Sequence, residues 1–235
     1  MTATVHTITL THLAMSLVPV AIVLTIQYRW SLNYREGIYA VGRMLGQLLI
    51  IGYFLGYIFN ANNAWIIVAV LTVMVLTSSW IALRTVEKQR KRLYGYVLIS
   101  LLIGGATTLA LVTQGVLDLH PWYQPRYMIP LAGMIFANAM NAISLAAERY
   151  HDETSRGADY QTARNAAFRT ALIPITNSLF AVGLVSLPGM MTGQILSGVD
   201  PLIAARYQIM VMAMIFGSGG IASAVYLWIL GKRRE

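Results

Sequence analysis

ERYHDETSRGADYQTARNAAFRTALIPITNSLFAVGLVSLPGMMTGQILSGVDP (residues 148–201) sets three kinds of chain end to end. Residues 148–169 are polar and charged, 170–187 are apolar, and 188–201 are rich in glycine and proline with no helix signal. The order predicts a segment that a soluble partner can grip, joined covalently to a membrane helix that breaks near Met190 and Met191.

The rest of the chain agrees with a membrane setting. Hydrophobic residues make up 57% of its 235 residues and charged ones 11%, against about 25% charged in soluble domains. Mean hydropathy is +0.62. Apolar runs long enough to cross a bilayer recur along the chain. They predict an all-α, polytopic membrane protein, a single domain over 1–235 with seven spans: 7–27, 38–59, 64–83, 94–116, 127–147, 170–187 and 206–230. The first apolar run has no Lys or Arg before it, so it reads as a span rather than a cleaved signal peptide. Pro19 should kink that span. The second span carries Gly42, Gly46, Gly52 and Gly56, two small-xxx-small pairs suited to close helix packing or to dimerisation.

Charge placement sets the orientation. Of the seventeen basic residues, fourteen fall in the connections after spans one, three and five or at the C-terminus. The opposite side holds only Arg126 and Arg206, and Arg43 lies within a span. By the positive-inside rule the N-terminus is outside and the C-terminus cytoplasmic. The pI of 9.9 then follows from topology, and nucleic acid is not needed to explain it.

Several chemistries are excluded or left without support. There is no cysteine, which rules out disulfides and thiolate chemistry. No G-x-x-x-x-G-K-[ST] occurs, so the chain has no P-loop of its own. All nine acidic residues fall in connections or at span ends, whereas ion-coupled carriers usually keep a carboxylate at membrane depth. His6, His12, His120 and His151 lie outside the spans or near their ends, so no hydrolase constellation forms.

Polar residues within the spans are candidates for a pathway. Arg43 and Gln47 are four apart and share a helix face; Arg43 can equally snorkel to the headgroups. Asn138, Asn141, Ser144 and Glu148 form a stripe, and Asn177 and Ser178 face similarly; interhelical hydrogen bonding is the alternative use. Met190 and Met191 stand at the expected break, where thioethers can fill gaps or meet soft metal ions. In the cytoplasmic segment, Tyr160, Ala163, Arg164, Ala167 and Phe168 recur at i, i+3, i+4, i+7 and i+8. That face suits a membrane surface or a groove on a partner protein, and spacing leaves the two level.

The run SLPGMMTGQILSGVDPLIAARYQIMVMAMI (186–215) resembles the hallmark segment of the FetB-like iron-export ABC permeases, a family that also includes plant aluminium-tolerance half-transporters. GRMLGQLLIIGYFLGYIF (42–59), IPLAGMIFANAMNAISLAAER (129–149) and RTALIPITNS (169–178) agree with it. The resemblance implies a permease that exports metal ions across the plasma membrane, the inner membrane in bacteria. It implies a separate ABC ATPase as partner, holding the ATP and Mg, a homodimer of permeases, and no cofactor in this chain. Within 148–169, Arg156, Gly157, Ala158, Tyr160, Arg164 and Phe168 would couple to the ATPase. Arg43, Gln47, Asn138, Asn141, Asn177, Met190, Met191 and Gln194 would line the pathway. Two positions depart from the pattern: Ala137 stands where a glycine is expected, and Asn177 where some members carry an acid. The alternatives are a stand-alone ion-coupled carrier or channel, and an ABC permease for a non-metal or chelated cargo.

Overall fold

The computed structural model describes residues 8–60 and 63–232. His6, the start of the first expected span, Arg233 and Arg234 lie outside the described residues. All the regular structure among the described residues is helical, apart from an isolated bridge between Val182 and Ser186. The chain divides into two compact units, Met1–Asn60 and Ala61–Glu235.

The first unit holds α1 (Leu10–Met15), α2 (Val18–Arg29) and α3 (Tyr34–Phe59). The break between α1 and α2 falls at Ser16 and Leu17, with Pro19 in the first turn of α2, where a missing N–H costs nothing. This is the interruption expected from Pro19. α2 and α3 form a hairpin in which Gly37 lets Leu24 and Gln27 approach α3 closely. Gly42, Gly46, Gly52 and Gly56 meet no neighbour within their own unit.

The second unit contains α4 (Ala64–Ala82), α5 (Arg90–Leu101), α6 (Thr107–Ala110), α7 (Pro125–Ser155), α8 (Tyr160–Ala181), α9 (Gly189–Leu196) and α10 (Pro201–Gly231). α5 and α6 belong to one interrupted rod, Arg84–Val116, with π-helical turns at Leu102–Ala106 and Leu111–Val116. α7 is the centre: it packs on α4, α8 and α10. Its inward face includes Leu131, Ile135, Phe136 and Ile143 beside Ala139, Ala142 and Ala146, all buried. The alanines let helices approach closely, which is how contact is gained in lipid, where apolar burial alone drives little. One close approach is at Gly104, where a Cβ would sit 2.6 Å from the Ala222 backbone nitrogen of α10.

Among the described residues, six helical segments are long and apolar enough to cross a membrane: Leu10–Arg29, Tyr34–Phe59, Ala64–Ala82, Arg84–Val116, Pro125–Ser155 and Pro201–Gly231. The chain is a multi-pass membrane protein. The expected span over 170–187 is not among the six. α8 ends at Ala181 because Val182 is extended and Gly183 adopts φ +85°, a conformation that suits glycine. Only 170–181 of α8 is apolar, roughly 18 Å of helix against a hydrocarbon core of about 30 Å.

The expected cytoplasmic segment is also more regular than its polarity suggests. α7 continues to Ser155 and α8 begins at Tyr160, so the connection shrinks to 156–159. Ion pairs one turn apart, Arg149 with Glu153 and Arg156 with Asp152, carry α7 through the charged run.

Candidate functional site

Two places collect most of the residues that the sequence marks out: the joint between α7 and α8, and the broken stretch from α8 to α10.

The joint is a cap set against a cap. Gly157 ends α7 at φ +87°, with its N–H donating to the Thr154 carbonyl at 3.2 Å. Asp159 then opens α8, its carboxylate accepting from the Thr162 N–H at 3.3 Å. Hydrogen bonding from Thr162 holds the Asp159 carboxyl below the usual range. Arg156 and Gly157 are exposed, and Ala158 is half-buried against the core.

Tyr160 turns inward. Its hydroxyl donates to the Leu227 carbonyl of α10 at 3.0 Å, and its ring lies edge-on to Tyr150 of α7, centroids 6.4 Å apart. Gly231 makes room: a Cβ there would fall 2.3 Å from the Tyr160 ring. The Arg164 guanidinium sits 5.6 Å from the same ring and donates to Asn165. Ala163 and Ala167 are fully buried, and Phe168 packs against the core. The periodic face of 160–168 is therefore the packed face of α8. What it leaves exposed is Gln161, Thr162, Asn165 and Arg169.

The Tyr160 contact also fixes direction. The start of α8 lies beside the end of α10, and α10 is roughly 46 Å long. Residues 160–200 thus carry the chain from one end of α10 to the other, in two helices separated by the turn at 182–188. Around that break, Phe180, Leu184 and Val185 are strongly exposed.

A cavity of about 560 Å³ opens at the break, walled by Leu179, Val182, Gly183, Leu187, Met191, Gln208 and Met212 among others. Of the expected pathway residues, Met191 is in this wall. Gln194 follows one turn later on α9 with its amide oxygen buried and unpartnered, and Met190 packs against the core. Asn138, Asn141 and Asn177 are not in the wall. Asn138 donates to the Met134 carbonyl of its own helix at 2.8 Å, while Asn141 and Asn177 are exposed. Arg43 and Gln47 are exposed on α3 in the first unit. No group of three or more His, Cys, Asp or Glu suited to a metal occurs among the described residues. Gln208 escaped the sequence reading, although an amide at the start of so apolar a run, QIMVMAMI (208–215), is itself a signal.

A family model described as "Uncharacterised protein family (UPF0014)" matches residues 10–234. The "UPF0014 membrane protein slr1647" of Synechocystis is 38% identical over 76% of this chain and 74% of its own length. The "Probable iron export permease protein FetB" of Escherichia coli is 32% identical over 97% of this chain and 93% of its own. The "Protein ALUMINUM SENSITIVE 3" of Arabidopsis thaliana is 34% identical over 89% and 81%. No solved structure matches. A chain of apolar helices matched from residue 10 to 234 by one model, and over 76–97% of its length by these relatives, belongs to the UPF0014 family of membrane proteins.

Proposed function

We propose that this chain is the permease subunit of an ABC exporter that moves metal ions, iron first among them, out of the cytoplasm. ATP and Mg bind to a separate ATPase, and two permeases assemble with it. The cargo is suggested by the relative named as an iron export permease, similar over almost the full length of both chains.

The observation that carries the mechanism is the α7–α8 joint. A groove on an ATPase needs a short, stiff projection that cannot absorb the stroke. Residues 156–159 supply one: exposed at Arg156 and Gly157, capped on both sides, and tied through Tyr160 to α10. Arg156, Gly157 and the exposed side of early α8 meet the ATPase. Ala158, Tyr160, Arg164 and Phe168 pass the displacement to α7 and α10. In this reading the N-terminus is outside, the C-terminus cytoplasmic, and the broken stretch 160–200 makes the seventh crossing.

The test is flux. Permease and ATPase reconstituted together should export Fe²⁺ only with hydrolysable ATP. Metal flux by the permease alone would instead favour the stand-alone carrier.

A further inference from the structure

A second cavity, of about 230 Å³, lies at the end of α10 that Tyr160 grips. The turn before α5, α5 itself, α7 and α10 wall it, contributing Gln89, Arg92, Tyr96, His151, Thr154 and Tyr226 among others. Drug-sized ligands occupy about 300–1,000 Å³, so this space suits one compact polar group.

Its charge is one-sided. Arg92 is exposed in the wall, and among the described residues its guanidinium has no hydrogen bond or ion pair. The arginines around it are occupied. Arg90 donates to the Trp80 carbonyl at 2.6 and 3.0 Å, and Arg149 and Arg156 are held by Asp152 and Glu153. No carboxylate is in the wall. Ala147, Tyr150, His151 and Thr154 form the face of α7 that borders the cavity. Glu148, Asp152 and Glu153 stand roughly 110° or more around the helix from that face.

Further donors stand beside Arg92. Gln89 Nε2 lies 3.3 Å from His151 Nδ1. An amide N–H only donates, so Nδ1 accepts and the neutral ring carries its proton on Nε2. α5 opens with Arg90, Lys91 and Arg92, has no acid in its first turn and takes no side-chain cap from Gln89. Cations at the positive end of a helix are unfavourable, and an anion set between them relieves the repulsion.

Two tryptophans give the depth. Trp80, near the end of α4, has the Arg90 guanidinium 3.9 Å from its ring; Trp228, in the last turn of α10, has Lys232 at 4.1 Å. Both rings are about half exposed. Tryptophan collects at the membrane–water boundary, where long cations reach for headgroups. Arg92, Tyr226 and Leu230 set the cavity at the same level.

We propose that this cavity binds the phosphate of an anionic phospholipid headgroup, with Arg92 forked onto its oxygens and His151 donating from Nε2. Basic pockets between membrane helices take headgroups in this way, and a planar guanidinium grips phosphate through two parallel bonds. The bound lipid clamps the start of α5 to α7 and to the last turns of α10. The site depends on neither the ATPase nor the cargo reading above.

The test is native mass spectrometry of the full-length permease in detergent, titrated with short-chain phosphatidylglycerol and, for comparison, phosphatidylcholine. Wild type should retain one phosphatidylglycerol saturably, at least fivefold more tightly than phosphatidylcholine. Arg92→Gln should weaken that binding tenfold or more and erase the preference, and His151→Phe should weaken it severalfold. Arg92→Lys should restore only part of the loss, because an ammonium cannot make the paired bonds. Lys91→Gln, about 100° around α5 from Arg92, should change little. Equal losses in Arg92→Gln and Lys91→Gln would mean a diffuse basic surface and overturn the site. So would affinity unchanged in Arg92→Gln or His151→Phe, or no saturable binding to wild type. Inorganic phosphate that displaces the lipid at millimolar concentration would overturn the lipid source and assign the cavity to a soluble phosphate.

Discussion

Tyr160 and Gly231 make one contact between them, and two substitutions measure it. Tyr160→Phe removes a hydroxyl that donates to the Leu227 carbonyl, a loss of about 1 kcal/mol. Gly231→Ala puts a methyl where the ring already lies, so the ring must leave; overpacking of this kind costs about 1–3 kcal/mol. Because both act on one contact, the double variant should be less destabilised than the sum, read as thermal unfolding in detergent. Additive losses would mean that the tyrosine is not anchored at Gly231. Asp159 predicts a pH effect of known sign. Its folded-state pKa lies below the unfolded one, so the cap is in place above the unfolded value and is lost as pH falls through the folded one. Protection of the Thr162 amide from hydrogen exchange should therefore drop on acidification, and Asp159→Asn should remove most of that pH dependence. Residue-level legibility was uneven. Met191 could be picked from its place beside Pro188 and Gly189, whereas Gln208 was hidden by the apolar residues that follow it.

At the scale of elements, most spans were readable because length and hydropathy alone decide whether a helix can cross. The failures share a cause. Composition reports polarity, and helix continuity does not depend on polarity. The run after Glu148 looks like a loop, yet the pairs Arg149–Glu153 and Asp152–Arg156 are spaced one turn apart and keep α7 helical to Ser155. The run 170–187 looks like a span, yet Gly183 takes a left-handed conformation and ends the helix early. The periodic face of 160–168 was legible as a face, but not as the one that packs inward. Two changes probe the joint. Gly157→Val forces a branched residue to φ +87°, a strain of about 1–3 kcal/mol; it should lower stability and coupling together. Inserting Gly-Ser after Ala158 leaves both capped helices intact but softens the projection. ATPase activity of the assembled complex should persist while transport per ATP falls severalfold. Unchanged transport in the insertion variant would mean that force does not pass through 156–159.

For the whole molecule, the second unit reads as a lever around α7. The joint at 156–159 holds one end of α7, α8 and α10, and the cavity at the α8–α9 break lies toward the other end of α10. A stroke at 156–159 would act on α8 and α10, the helices that frame the cavity. Gly104 set against the Ala222 backbone fastens the π-helical turn to α10, so Gly104→Leu should abolish folding, seen as loss of monodisperse protein in detergent. The central claim is that a stroke on the joint drives metal outward. It is tested most directly by Fe²⁺ export from proteoliposomes holding permease and ATPase, comparing wild type with the Gly-Ser insertion at matched ATP hydrolysis. The account predicts ATP-dependent Fe²⁺ movement by wild type and little by the insertion variant; equal movement by both, or none by wild type, would contradict it.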